Sequence, residues 1–295
     1  MLRILIILFF PILLFSADVK LQVLGSGGPE LDSRASASYL IWIDGKAKIL
    51  VDFGGGAFVR LGQSGAKLKD IDLILLSHFH IDHVADFAAL VKAGYFSERT
   101  TPIHVFGPSS NRYFPDTKTF LEEQFEEDKV YGYMEEVLDP KNTGISFIPY
   151  VFDADPKAQP IRQRYNGILI DMIGVYHGNV PSLAYRVEVD GKSITFSGDT
   201  SATTNNLIAL AKNCDLFIAH HAIPQHAGKV AKSLHMTPRR IGELAYYAHV
   251  KKLLLGHRMQ RTRHRENESK KEIRKKYRSK LILAEDLLVV PLGDN

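Results

Sequence analysis

Within six residues the chain reads His78-Phe79-His80-Ile81-Asp82-His83, which puts three imidazoles and a carboxylate on one short stretch of backbone. Before it runs Asp72-Leu73-Ile74-Leu75-Leu76-Ser77, a continuous apolar stretch of buried-strand length. Behind it, Val84 to Val91 carries apolar residues at helical spacing. A strand that ends in such a cluster and gives way to a helix narrows the choice of fold. The chain must build a sheet whose edge holds these side chains on a rigid turn. Imidazole nitrogen and carboxylate oxygen are the donors that zinc takes in catalytic sites. With 12 histidines in 295 residues, chance clustering of surface histidines is the poorer explanation. The pattern points to a hydrolytic centre built around two cations.

This H-x-H-x-D-H run resembles the signature of the metallo-β-lactamase superfamily, and later residues match the rest of that pattern. The family closes its site with a further histidine, a bridging aspartate and a last histidine. His177 follows the apolar run Ile168 to Val175, Asp199 follows Ile194-Thr195-Phe196-Ser197-Gly198, and His257 follows Leu253-Leu254-Leu255-Gly256. Each stands just past a predicted strand. Within the superfamily the chain looks most like the ribonuclease Z branch and its sulfatase and phosphodiesterase relatives, from about Leu21 to Leu292. The likeness includes Leu24-Gly25-Ser26-Gly27-Gly28-Pro29, Ser36-Ala37-Ser38-Tyr39-Leu40 and Ile49-Leu50-Val51-Asp52-Phe53-Gly54, where Asp52 would brace the metal loop. Ser197-Gly198-Asp199-Thr200 favours this branch over antibiotic-degrading lactamases, which generally place a cysteine there. The sole cysteine, Cys214, sits in an apolar run and is expected to pack as a small buried hydrophobe.

The resemblance implies a four-layer αββα sandwich, two mixed β-sheets flanked by helices, with two zinc ions at one edge. His78, His80 and His177 would hold the first ion and Asp82, His83 and His257 the second, with Asp199 bridging. Such a pair lowers the pKa of a shared water toward neutrality. Asp82 is also a candidate to take a proton from that water. One departure stands out. The branch normally orients a distal proton-donating histidine with a glutamate, whereas this chain reads His220-His221-Ala222, with His221 in the glutamate position. The distal residue itself, His235, is present and is the expected proton donor to the leaving oxygen.

Residues 1–17 read as a secretory signal: Arg3, an apolar core from Ile4 to Phe15, then Ser16-Ala17. That core is short for a bilayer span, so a periplasmic or secreted protein without a stable span after processing is expected. Having one cysteine excludes an internal disulfide. The remaining 278 residues (295 minus 17) suit one domain, 18–295. Two apolar strand series, Val19 to Leu76 and Ile168 to Leu255, predict the two sheets. Helices are predicted near Val84–Phe96, Ala202–Lys212, Pro238–His249 and Glu268–Tyr277. Residues 109–164 break the alternation and are expected to form a helical insert near the site. His257 to Lys280 holds eleven Lys or Arg against three Glu and reads as a solvated helix face, with Ile273 and Tyr277 as its packing stripe.

These readings converge on an exported dinuclear-zinc hydrolase of a small anionic ester, a phosphodiester or an aryl sulfate. Export, and the lack of a Gly/Pro-rich arm, make nucleic acid the weaker substrate reading; a homodimer is compatible with the resemblance. The alternatives are a lactone or β-lactam hydrolase, and a non-catalytic metal-binding member of the fold.

Overall fold

A computed structural model describes residues 16–293, so the predicted signal lies, but for Ser16 and Ala17, outside the described residues. The strands in chain order are β1 (Val19–Gly25), β2 (Ser38–Ile43), β3 (Lys46–Phe53), β4 (Leu73–Leu75), β5 (Ile103–Pro108), β6 (Phe147–Phe152) and β7 (Ile161–Tyr165). There follow β8 (Ile168–His177), β9 (Val180–Val189), β10 (Lys192–Phe196), β11 (Leu216–His220), β12 (Lys252–Gly256), β13 (Lys280–Leu283) and β14 (Val289–Pro291). They form two seven-stranded sheets, ordered β14-β1-β2-β3-β4-β5-β6 and β13-β12-β11-β10-β9-β8-β7.

Side chains alternate across a strand, and here both faces are apolar, which forces a layer onto each side. From β3 and β4, Ile49, Val51, Leu73 and Leu75 enter the central core between the sheets, where they meet Tyr185, Phe196, Leu216 and Ile218. Their neighbours Leu50, Phe53, Ile74 and Leu76 face outward, under α1 (Ala57–Gln63), α2 (Ile81–Val84), α3 (Phe87–Gly94) and α4 (Thr117–Phe125). On the second sheet Phe217, Ala219, Leu253 and Leu255 pack under α5 (Asn206–Leu210), α7 (Pro238–Tyr247) and α8 (Glu266–Ile273). Ile273 and Tyr277 belong to that layer, as their spacing predicts. Two helices start on side-chain caps: the Asp116 carboxylate accepts the Thr119 amide at the head of α4, and Thr237, whose hydroxyl accepts the Arg240 amide, precedes Pro238 at the head of α7. The result is the αββα sandwich.

Residues 109–164 are helical only in part, which corrects the expectation of a helical insert. α4 and a 3-10 stretch, Gly132–Leu138, cover the first sheet, but β6 extends that sheet beside β5 and β7 forms the edge of the other. Both are edge strands with one side in water. β7 reads Ile-Arg-Gln-Arg-Tyr, charged in the way that protects an edge, while β6 reads Phe-Ile-Pro-Tyr-Val-Phe, with the mid-run proline that only an edge strand tolerates.

β3 pairs in parallel with β4, and β10, β11 and β12 run parallel to one another. Through β2, β1 runs in the same direction as β3. The sheets are tied where these strands end: the Leu183 amide donates to the Ser77 carbonyl at 2.9 Å, and the Arg258 amide to the Ser26 carbonyl at 2.8 Å. Six strands therefore finish at one pole of the molecule.

Candidate metal centre

At that pole the loop after β4 lies across the end of β3. A Cβ at Gly54 would stand 2.0 Å from the Asp82 carbonyl oxygen, so only glycine lets the two backbones pass so closely. Asp52, two residues earlier in β3, adopts a left-handed φ of 54°. That conformation is costly for a residue with a side chain and tends to persist where function demands it. Here it aims the carboxylate at the loop: Oδ1 accepts the Ser77 amide at 2.7 Å, and Oδ2 accepts Ser77 Oγ and His83 Nδ1, both at 2.8 Å. Asp52 is thus the brace that the sequence resemblance implies.

Two groups of donors converge beyond the brace. His80 Nδ1 lies 3.1 Å from His78 Nε2 and 3.2 Å from His177 Nε2. The other nitrogens of those partners are spoken for: His78 Nδ1 donates to Ser77 Oγ at 3.0 Å, and His177 Nδ1 to the Leu234 carbonyl at 2.8 Å. Three ring lone pairs are therefore left facing one another. Tetrahedral zinc with bonds near 2.0–2.1 Å needs donors roughly 3.3 Å apart, so the spacing suits one ion.

The second group holds Asp82, His83 and His257. Asp82 Oδ2 lies 3.1 Å from His257 Nε2 and 3.8 Å from His83 Nε2. His83 Nε2 is buried without a hydrogen-bond partner, the mark of a donor waiting for something other than a proton acceptor. Between the groups stands Asp199, whose Oδ2 is 3.7 Å from Nε2 of His83, His177 and His257 alike. Its other oxygen accepts His220 Nδ1 at 2.8 Å, and His220 Nε2 in turn accepts the Tyr39 hydroxyl at 3.2 Å. A ring nitrogen of His220 lies within 4.8 Å of donor atoms of His83, Asp199 and His257. With both nitrogens engaged, it holds Asp199 in place rather than offering a lone pair. Gly198, at φ 55°, makes the turn that delivers Asp199, in a space closed by the Leu183 carbonyl.

Charge is divided between the two groups. Burial, with neighbouring imidazoles, holds His78 well below its ordinary pKa, and burial lowers His80 and His177 too. All three are neutral imidazoles, the form that binds metal. Burial works against charge on His83 and Asp199 as well, but their mutual attraction overcomes it. His83 is raised by Asp52 and Asp199, while Asp199 is held well below the carboxylate range by His257 and His235. A field that would draw a proton onto buried His83 draws a divalent cation for the same reason.

Residues 31–249 match the family described as the metallo-beta-lactamase superfamily. The chain belongs to that superfamily. Ribonuclease Z of Clostridium novyi (strain NT) is 27% identical over 275 residues, spanning 81% of this chain and 88% of its own. The fold of YhfI from Bacillus subtilis, a metallo-beta-lactamase fold protein, superposes with a TM-score of 0.73 at 20% identity, over 93% of this chain and 99% of that one. Human tRNase Z, short form, superposes at 0.72 and 19% identity, over 93% and 100%. With its cluster of histidines and aspartates, this superfamily member is a metal-dependent hydrolase of ester bonds.

His235 reaches the same pole at the end of α6 (Lys229–Leu234). Its Nδ1 stands 3.7 Å from Asp199 Oδ2, and its ring lies 5.3 Å from that of His177. Burial pushes its pKa down to about 3. The residue in the glutamate position does not replace the missing carboxylate. His221 turns to α8, where Nε2 meets Ser269 Oγ at 2.9 Å, and burial takes its pKa down to about 4. Arg258, whose sequence position suggests a surface arginine, is instead a buried tie, bonded to Glu266 at 2.7 Å and Glu285 at 2.8 Å. Cys214 is buried as expected, its thiol pushed up to about 12 by burial. His220 was missed as a positioning residue. It is the last residue of the apolar strand β11, opposite Gly256 at the end of β12, so the strand-end signal that marks the other ligands marks it too.

Proposed function

We propose that the protein is an exported hydrolase that uses two zinc ions to cleave an anionic ester, a phosphodiester in preference to an aryl sulfate. The observation that carries this reading is the equal reach of Asp199 Oδ2, 3.7 Å from His177 in one donor group and from His83 and His257 in the other. A carboxylate so placed serves two sites at once. His78, His80 and His177 would hold one ion, and Asp82, His83 and His257 the second. Bound divalent ions supply a water activated near neutral pH and neutralise charge gathering on the ester oxygens.

The chain's own groups do the rest. Asp82 accepts a proton from the attacking water, and His235, which burial keeps neutral in the free protein, becomes the donor to the leaving oxygen once a bound anionic ester raises its pKa. Phe114, whose ring is 5.7 Å from that of His80, walls the mouth, and Asn111 ties this wall to the Asn179 carbonyl. The phosphodiester preference draws support from the relatives named ribonuclease Z. Export draws support from residues 1–17, and fusing residues 1–20 to an export-dependent reporter tests it.

Purified protein assayed against bis-p-nitrophenyl phosphate, p-nitrophenyl sulfate, a homoserine lactone and nitrocefin tests the substrate reading. Hydrolysis of the phosphodiester, lost on chelation and restored by zinc, is the expected outcome. Turnover of the lactone or nitrocefin alone would overturn it.

A further inference from the structure

Among the ligand candidates, His257 carries an unmet need. With His257 taken as a ligand, as the proposed function has it, Nε2 gives a lone pair to the ion beside Asp82 and the ring's single proton sits on Nδ1. That Nδ1 is buried without a hydrogen-bond partner. A buried donor left unmet is destabilising, and metal-binding imidazoles almost always give this second proton to a carboxylate, a carbonyl or a water. His83 follows the rule, with its Nδ1 on Asp52 at 2.8 Å.

The matching acceptor comes from the loop between β1 and β2. Glu30 Oε1 accepts the Gln260 amide at 3.2 Å, while Oε2 is buried and makes no hydrogen bond. A Cβ placed on Gly28 would stand 2.9 Å from that Oε2 and 3.2 Å from His257 Cε1, the ring atom bonded to Nδ1. One atom at that point would touch both, so the carboxylate and the ring edge lie within reach of a single bridging water. Glycine at position 28 keeps the gap open, since any other residue would fill it with its own Cβ. The loop that delivers Glu30 is pinned on both sides. The Arg258 amide donates to the Ser26 carbonyl at 2.8 Å, and Asp286 accepts the amides of Ser26 at 3.0 Å and Ala35 at 2.9 Å. Asp32, two residues beyond Glu30, pairs with Arg34 and Arg263.

We propose that Glu30 is a positioning residue for the second ion site. Its Oε2 takes up the Nδ1 proton of His257 through one water and so fixes the tautomer that turns Nε2 to the ion. Asp52 does this for His83 without an intermediary, so both histidines of that site are backed by a carboxylate from the first sheet or its loops.

Zinc retention under chelator competition, measured for the full chain and its Glu30→Gln, Glu30→Ala and His257→Ala variants, tests the proposal. Glu30→Gln separates the two oxygens: its carbonyl still accepts the Gln260 amide, while its amide nitrogen has only protons to offer the ring. One of the two ions should be held about 10–100-fold more weakly in Glu30→Gln and Glu30→Ala, with the other unchanged. Added to His257→Ala, Glu30→Gln should bring no further loss, because the ring it serves is gone. In cobalt-substituted protein the His257 Nδ1 proton should be protected from solvent exchange in the wild type and lose that protection in Glu30→Gln. Wild-type retention of both ions in Glu30→Gln, where His257→Ala releases one, would overturn the positioning role alone and leave Glu30 a clasp for Gln260. Full retention of both ions in His257→Ala would overturn the ligand reading, and this role with it. Equal weakening of both ions in Glu30→Gln would also overturn it, as a general loosening of the loop.

Discussion

The metal centre and the proton-donor side meet at Asp199, yet they are built to different standards. Around the candidate metal sites four donors are steadied from behind, His83 by Asp52, His78 by Ser77, His177 by the Leu234 carbonyl and Asp199 by His220, with His257, whose Nδ1 is unpartnered, as the exception. Partners of this kind set ring tautomer and orientation, and losing one typically costs 10–100-fold in metal affinity or activity. His235 has no such support. Its Nδ1 is buried without a hydrogen-bond partner, and the residue in the position of the family's orienting glutamate bonds to α8 instead. Water activation is thus preorganised, while help to the leaving group rests on packing alone. An enzyme divided this way should favour esters whose leaving oxygen needs little protonation.

The largest effect that would break the comparison is at the shared carboxylate. Asp199→Ala should lower ester hydrolysis by about 10³-fold or more, and by more than His177→Ala, because one residue serves both ions. Equal, mild losses from the two variants would remove Asp199 from the bridge. Next comes the unsupported donor. His235→Ala should slow esters with poorly stabilised alkoxide leaving groups by roughly 10²-fold, sparing p-nitrophenolate esters and metal content. A uniform loss across leaving groups would make His235 a structural residue. Asp52→Asn, which keeps the shape of the brace but not its charge, should weaken zinc retention by about 10–100-fold in chelator competition. Unchanged retention would show that the brace is ornamental.

The smallest effect is on stability. His221, neutral in the fold with a pKa near 4, charges far more readily when unfolded, where histidine titrates near 6.5. The unfolded chain then binds more protons below pH 6.5, so the stability due to neutral His221 is present above that pH and is lost as pH falls toward 4. His221→Gln should therefore reduce the acid-side loss, by about 1 kcal/mol between pH 7 and pH 5.5 in urea titrations. Parallel pH profiles for the two proteins would contradict it.

What the sequence made legible follows from the same contrast. Central strands buried on both faces announce themselves as apolar runs, so β4, β8, β10 and β12, and the ligand candidate at or just past the end of each, could be read directly. Edge strands β6 and β7 could not, because Pro149 interrupts the apolar run of β6 and β7 is mostly polar. Nor could Asp52's left-handed backbone, or the turn of His221 toward Ser269, since both depend on how distant segments pack. His220 was legible by position, but its service to Asp199 appears only once Tyr39 is seen to occupy its second nitrogen.

The central claim is that one aspartate joins two metal sites. Elemental analysis of wild-type protein and the Asp199→Ala variant, each equilibrated with zinc and then freed of loosely held ions, tests it most directly. Two zinc ions per wild-type chain, and retention of neither at full affinity in the variant, is the predicted result. One ion per wild-type chain with no second site on titration, or a variant that still holds two, would contradict it.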